Sequence, residues 1–451
     1  MFTKTNKLSF QSFLNNLNFK FYIFLILIFE IIAVYLSYKN LFNYEGCTNV
    51  VFRDFNLFNN FISIPYPEMC DESFYFHGFQ WINHIYENGY VYQDRPLYLG
   101  IGFIIYRFFF IFSLLFGFLI EPISLLLLSS LILQIIIVNL IAYVICKTLK
   151  ANFDRFYFLI FLLLVIFSFE YRLYLFLPTN STTYLLIFAF SIYSIKNKKL
   201  SGFMYGLLFT ISAYGIIGFL YELLTTIYKR KKSVKTIIKN IILFLIPYIG
   251  FELIRVLLGF FQGKEYGVKY IHAAEAEEYQ QFVWFIQSLF NRSYEPFQNC
   301  HTLTEFIPCY FDITLTYFSI SLFYISLCLL LFFFTLIRPK KFNYRSFSII
   351  LSFTIFNYIF ISLQGFYVYR FVYYSIGFGV ILLTCLFLVK IDSELLSILS
   401  VIATATYTLS RNNFQEYTLN LNLIDSLLII TIICLSIYDF FTKRNKYTVD
   451  N

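Results

Sequence analysis

Charge is what this sequence has least of. Only 13% of its 451 residues are Asp, Glu, Lys or Arg, while 59% are hydrophobic. A soluble globular chain carries about 25% charged residues, so a water-soluble domain is excluded. No Walker loop, Gly-rich dinucleotide loop or zinc signature occurs. No internal repeat stands out, so the usual mark of a transporter built from two related halves is missing. No small-residue cleavage site follows the first apolar run. That run reads as a retained anchor with the N-terminus inside.

What is present is a series of apolar runs separated by short basic stretches. Each span needs about 20 mostly apolar residues. The runs are 21–38, 99–120, 123–146, 156–169, 184–195, 200–228, 234–260, 313–337, 347–363, 371–389, 395–409 and 421–441. The fold expected is all-α: a polytopic transmembrane helix bundle of about 11–13 spans forming one membrane domain over residues 1–451. The net charge of +8 comes from Lys and Arg beside the runs, as the positive-inside rule expects. It implies no nucleic acid. The aromatic excess, 61 Phe and 39 Tyr, is what an AT-rich genome produces, so an aromatic alone marks nothing.

Two longer loops interrupt the series, residues 39–98 and 262–311. Both are poor in Lys and Arg and belong outside. Both termini then lie in the cytoplasm of a cell membrane. One conflict follows. If 39–98 is outside and Lys147, Lys150 and Arg155 are inside, residues 99–146 must cross an odd number of times, yet they read as two runs. Within 200–228, basic residues flank both ends. Two short helices meeting near Ala213-Tyr214-Gly215, packed against protein, satisfy that arrangement.

The eight cysteines divide by place. Cys47 and Cys70 lie in the first loop and Cys300 and Cys309 in the second, where an oxidising compartment permits disulfides. Cys146, Cys328, Cys385 and Cys434 lie in apolar runs and read as small packing residues. The histidines, His77, His84, His272 and His301, all lie in the loops, without tight ligand spacing. Glu30, Glu222 and Glu252 lie in apolar runs. Such positions line a cavity, snorkel, or pair with a neighbour such as Arg255.

The first loop carries the strongest chemical signal. Asp71 and Glu72 are adjacent carboxylates, followed by Tyr75. An outer carboxylate works as a general base on a hydroxyl or amine, or holds a divalent cation through oxygen. The plainer alternative is a solvated loop acid. Arg95-Pro96-Leu97-Tyr98 then opens the next run. A guanidinium at headgroup depth suits a lipid phosphate; ordinary interfacial anchoring is the alternative. Pro96 fits the first turn of a helix.

An N-inside first span, then Asp-Glu-x-x-Tyr (Asp71, Glu72, Tyr75), then Arg-Pro-Leu-Tyr (Arg95–Tyr98), resembles the C-type glycosyltransferases. This superfamily, GT-C, includes protein mannosyltransferases and lipid A aminoarabinose transferases. The stretch Lys199-Leu200-Ser201-Gly202 … Gly206-Leu207-Leu208 is similar to that superfamily's short-helix hairpin, and Tyr171-Arg172 … Asn180 to an outer turn beside it. The resemblance covers the first 320 residues loosely and the remainder only in topology.

The resemblance implies a polyprenyl-phosphate sugar donor and an inverting transfer on the outer face, to a glycan, lipid or protein acceptor at the bilayer. Asp71 is then the base, and Glu72 supports it or touches a divalent cation. Arg95, with Arg172 or Arg370, holds the donor phosphate. Tyr75, Tyr98, Tyr171 and Asn180 bind substrate. Many members carry two prolines where this chain has Pro96 alone, which leaves the substrate type open. An outer-face polysaccharide polymerase or ligase, and a lipid or glycan transporter, are the alternatives.

Overall fold

The computed structural model describes residues 10–39, 48–57, 60–69, 78–80, 96–116, 122–150, 152–168, 181–197, 201–212, 214–228, 234–261, 322–337, 344–363, 373–409 and 431. Apart from one ribbon, the elements are helices: α1 (Phe10–Asn16), α2 (Phe19–Lys39), α3 (Pro96–Leu115), α4 (Pro122–Leu149), α5 (Arg155–Ile166), α6 (Ser181–Asn197), α7 (Ser201–Ile211), α8 (Gly215–Tyr228), α9 (Val234–Phe261), α10 (Leu322–Ile337), α11 (Tyr344–Leu363), α12 (Phe378–Ile391) and α13 (Glu394–Leu409). A single π turn, Tyr373–Gly377, leads into α12.

The central helix is α5. Every residue from Phe156 to Ile166 is buried. A helix that is apolar all round belongs in an interior, and α1, α4, α12 and α13 pack around it. The rim is built oppositely. On α9, Ile238, Ile242, Ile246, Ile249 and Leu253 form a helical stripe, each about half exposed. Such a stripe in water would drive aggregation; against acyl chains it is solvated. Among the described residues, three helices are long and apolar enough to cross a membrane, or up to four if the bent pair α1–α2 counts as one. Seven further apolar helices are shorter. The chain is a helical membrane protein.

The helices pack where side chains are small. Gly202 and Gly206 of α7 face α9. A Cβ on Gly202 would lie 2.4 Å from the Asn240 carbonyl oxygen, and one on Gly206 2.3 Å from that of Phe244. This small-xxx-small spacing lets two backbones touch, which lipid-embedded helices use in place of the hydrophobic effect. The expected bend is present: α7 stops at Ile211 and α8 starts at Gly215, whose N–H donates to the Ser212 carbonyl (2.9 Å). Ser212 and Tyr214 are buried there. Interior hydroxyls donate back along their own helices, as from Ser129 to the Leu125 carbonyl (2.6 Å) and Thr404 to that of Ser400 (2.7 Å).

Basic residues gather at one end. Asp154 is the junction. It caps α5 by accepting the N–H groups of Phe156 (3.1 Å) and Tyr157 (3.4 Å), worth about 1 kcal/mol in a typical helix. Lys150 donates to it (2.8 Å), as does the amide of Gln11 (3.1 Å). Burial alone would raise the Asp154 carboxyl; the hydrogen bond and charge of Lys150 outweigh that and hold it below its ordinary value. Asn15 and Leu17 bind Arg155, and Glu394 accepts the Gln11 N–H (3.2 Å). These contacts fix α1, which meets α2 at 119°. The sequence reading did not foresee α1.

Geometry bears on the parity of residues 99–146. With 28 residues, α4 is about 42 Å long, and its last turn is at the basic end. Residues 116–121 allow Leu115 no more than about 25 Å from Pro122. The other end of α3 is tied by Tyr98 to Gln134, near the middle of α4. So α3 runs from mid-α4 back toward the start of α4 and never reaches the basic end. Of the two, α4 is the helix that reaches the basic end.

Among the described residues the chain is otherwise helical, as expected, but the first long loop is not wholly irregular. It contains an antiparallel ribbon of β1 (Thr48–Leu57) and β2 (Asn60–Met69), in register from Thr48↔Met69 to Leu57↔Asn60. Both strands of a two-stranded ribbon are edges, so Pro65 and Pro67 can be accommodated. Alternation of this kind hides in a search for apolar runs.

Candidate functional site

Of the residues assigned chemistry from sequence, Tyr98 is described. Asp71, Glu72, Tyr75, Arg95, Tyr171, Arg172, Asn180 and Arg370 lie outside the described residues, as do the four histidines, Cys47, Cys70, Cys300, Cys309 and Cys434. The site is therefore built from the chain that flanks those stretches.

Tyr98 opens α3 and is 1% exposed. Its hydroxyl accepts from the Gln134 amide of α4 (3.3 Å). The Gln134 carbonyl oxygen accepts in turn from the hydroxyl of Thr182, in the first turn of α6. Gln134 and Thr182 are fully buried. One neutral chain of hydrogen bonds therefore joins three helices in an apolar interior. The amide serves as donor to one partner and acceptor to the other, so neither polar end is stranded.

The Tyr98 ring packs on Phe79, with centroids 5.9 Å apart. Phe79 belongs to a single helical turn, 78–80, wedged against α3. A Cβ on Gly102 would come within 2.1 Å of the Phe79 ring, so only glycine admits that ring. Arg107 closes the wedge by donating to the Gln80 carbonyl (2.9 Å). Its guanidinium also lies 5.2 Å from the Phe103 ring centroid, a cation–π distance.

These contacts hold together the flanks of three motif stretches. Phe79 follows Asp71-Glu72 in the first loop, Tyr98 ends the Arg-Pro-Leu-Tyr motif, and Thr182 follows Asn180 by two residues. Sequence reasoning missed Gln134, Thr182 and Phe79. A lone Gln inside a run of Leu and Ile was the available signal for the first.

Below this junction, a small cavity is lined by Tyr184, Ile187, Phe188, Tyr214, Phe353 and Asn357. It has room for roughly one water and for no sugar. Glu30 of α2 is 3% exposed, and the amide of Asn139 on α4 donates to it (2.5 Å). Its second oxygen has no partner among the described residues. Among the described residues Glu30 pairs with no Arg, and it is buried within the bundle. Glu222 of α8 is also buried, whereas the Glu252 side chain lies outside the described residues. Cys146, Cys328 and Cys385 are free buried thiols, consistent with packing. Among the described residues no three His, Cys, Asp or Glu side chains gather as a metal site.

No protein-family model, no curated protein and no solved structure matches this chain.

Proposed function

We propose that the chain is a membrane-embedded glycosyltransferase that moves a sugar from a polyprenyl-phosphate donor to an acceptor on the outer face. The observation that carries this reading is the junction of Phe79, Tyr98, Gln134 and Thr182. It brings Phe79, Tyr98 and Thr182, which flank the acidic pair, end the Arg-Pro-Leu-Tyr motif and follow the turn before α6, to one depth of α4. Those are the stretches on which the likeness to the GT-C superfamily rests. The positive-inside rule puts the basic end in the cytoplasm and the junction toward the other face.

In the proposed reaction an acceptor hydroxyl or amine attacks the anomeric carbon and gives its proton to Asp71. The bond to the donor phosphate breaks, the phosphate keeps the electron pair, and the configuration inverts. Glu72 supports Asp71 or holds a divalent cation. Arg95, with Arg172 or Arg370, stabilises the departing phosphate charge, and a planar guanidinium does so through two oxygens at once. Tyr75, Tyr98, Tyr171 and Asn180 shape the substrate side. In this reading Tyr98 acts by fixing the start of α3, since its hydroxyl is already engaged by Gln134.

The test is Asp71→Ala, with membrane insertion followed by protease protection. Loss of glycan product with normal insertion supports the assignment; unchanged product removes Asp71 from the mechanism. Transport is the second reading, and Glu30 favours it, because a buried carboxyl inside a membrane bundle is costly and often belongs to an ion or proton path. Glu30→Gln separates the two. A transporter of that kind loses function, whereas the transferase keeps its chemistry.

A further inference from the structure

Three cations from three helices converge where α4 ends, at the end of the molecule away from Tyr98. The ring of Phe188 on α6 packs edge-on against Phe353 of α11 (4.8 Å) and Phe378 of α12 (5.4 Å). That contact sets the register. Lys196 lies eight residues beyond Phe188, and Arg345 eight residues before Phe353. Both are therefore about 12 Å from the shared aromatic level, toward the basic end. Phe347 lies against Phe387 with centroids 6.2 Å apart, which brings the Arg345 end of α11 beside the Lys390 end of α12.

The side chains agree with the register. The Lys196 ammonium donates to the Thr148 carbonyl, in the last turns of α4. The charges of Arg345 and Lys390 both act on Lys196. Lys196 and Lys390 are half-buried and Arg345 is exposed. Among the described residues the acids of this end have other work: Asp154 holds Lys150 and Gln11, Asp392 accepts from Tyr157 (3.1 Å), and Glu394 accepts from Gln11. The positive-inside rule explains why cations lie at this end. It does not explain why two half-buried lysines and an exposed arginine from three helices gather at one spot, where the lysines feel like charges more strongly than in open water.

We propose that Lys196, Arg345 and Lys390 form a binding site for a phosphate group at the basic end of the bundle. Arg345 supplies a two-pronged donor and the lysines supply compact charges, a combination suited to phosphate oxygens. The phosphate comes either from an anionic lipid headgroup or from a soluble phosphate compound. The site does not depend on the glycosyltransferase reading.

The experiment uses the full chain in nanodiscs, with thermal melting and native mass spectrometry as readouts. One set contains phosphatidylcholine with about a fifth phosphatidylglycerol, near the anionic content that gives a cytoplasmic-leaflet potential. A second contains phosphatidylcholine alone, with inorganic pyrophosphate titrated in. The double variant Arg345→Gln/Lys390→Gln is compared with the wild type. Its control, Lys235→Gln/Lys239→Gln on α9, removes the same charge elsewhere. For the double variant we expect affinity to fall about tenfold, as lost charge-assisted contacts predict, with the control unchanged. Protection by phosphatidylglycerol assigns a lipid headgroup, and protection by pyrophosphate a soluble phosphate. Protection by neither, or equal losses in double variant and control, overturns the site.

Discussion

The two ends of this bundle are held together by different chemistry. At the basic end, Asp154, Lys150, Arg155, Gln11, Asp392 and Glu394 link α1, α5, α12 and α13 through charged hydrogen bonds. At the other junction, among the described residues, Tyr98, Gln134 and Thr182 link α3, α4 and α6 through neutral groups. The difference follows the solvent. Ions near water keep part of their hydration, so pairing them costs little. Deeper in the bundle an ion is expensive, and an amide that both donates and accepts fixes three helices without one.

Breaking the helix contact beneath both ends has the largest expected effect. Gly206→Leu drives a side chain into the α9 backbone at Phe244. Loss of about 3 kcal/mol or failure to fold is expected, read as a lower melting temperature in detergent. Gly250→Leu is the control, since a Cβ there meets nothing within 4 Å. An unchanged melting temperature for Gly206→Leu removes the close α7–α9 approach.

The neutral junction comes next. Gln134→Leu removes the amide that Tyr98 and Thr182 share, and a cost of about 1–2 kcal/mol is expected. Glycan product should fall further than stability, because the motif flanks lose their shared anchor. Gln134→Glu keeps an acceptor for Thr182 but buries a charge, and should do no better. If either variant melts and functions as the wild type does, the junction carries no weight.

Of the two junctions, acid should act at the charged one. The folded Asp154 carboxyl lies below its ordinary value, so its contribution to stability is complete above the unfolded value of about 4. It is lost as pH falls through the lower folded value. Asp154→Asn should remove that part of the acid sensitivity, at a cost of about 1 kcal/mol near neutral pH. A variant as acid-sensitive as the wild type contradicts it. The smallest effect is at Tyr157→Phe, which gives up the hydroxyl's hydrogen bonds to Asp392 and, at 3.5 Å, to the Leu388 carbonyl, for about 0.5–1 kcal/mol.

The apolar skeleton was legible in sequence because lipid demands it. The run 395–409 became α13 (Glu394–Leu409), 234–260 became α9 (Val234–Phe261), and the bend at 213–215 fell between α7 and α8. The run 421–441 lies almost wholly outside the described residues. The misses have physical reasons. A run of apolar residues gives length but not neighbours, so 99–120 foretold a span-length helix, α3, but not that it starts beside the middle of α4. The ribbon over 48–69 has period two, to which a search for long runs is blind. Gln134 and Thr182 were hidden because a polar residue in a helix shows its partner only when the helices are packed. The acidic motif was legible as chemistry and silent about geometry.

The most direct measurement is sugar transfer by purified protein in nanodiscs, supplied with radiolabelled polyprenyl-phosphate sugars and an acceptor extract from the same membranes. The account predicts that the wild type transfers label and that Asp71→Asn does not, while melting at the same temperature. Equal transfer by wild type and Asp71→Asn, or no transfer by a wild type that melts cooperatively, would contradict it.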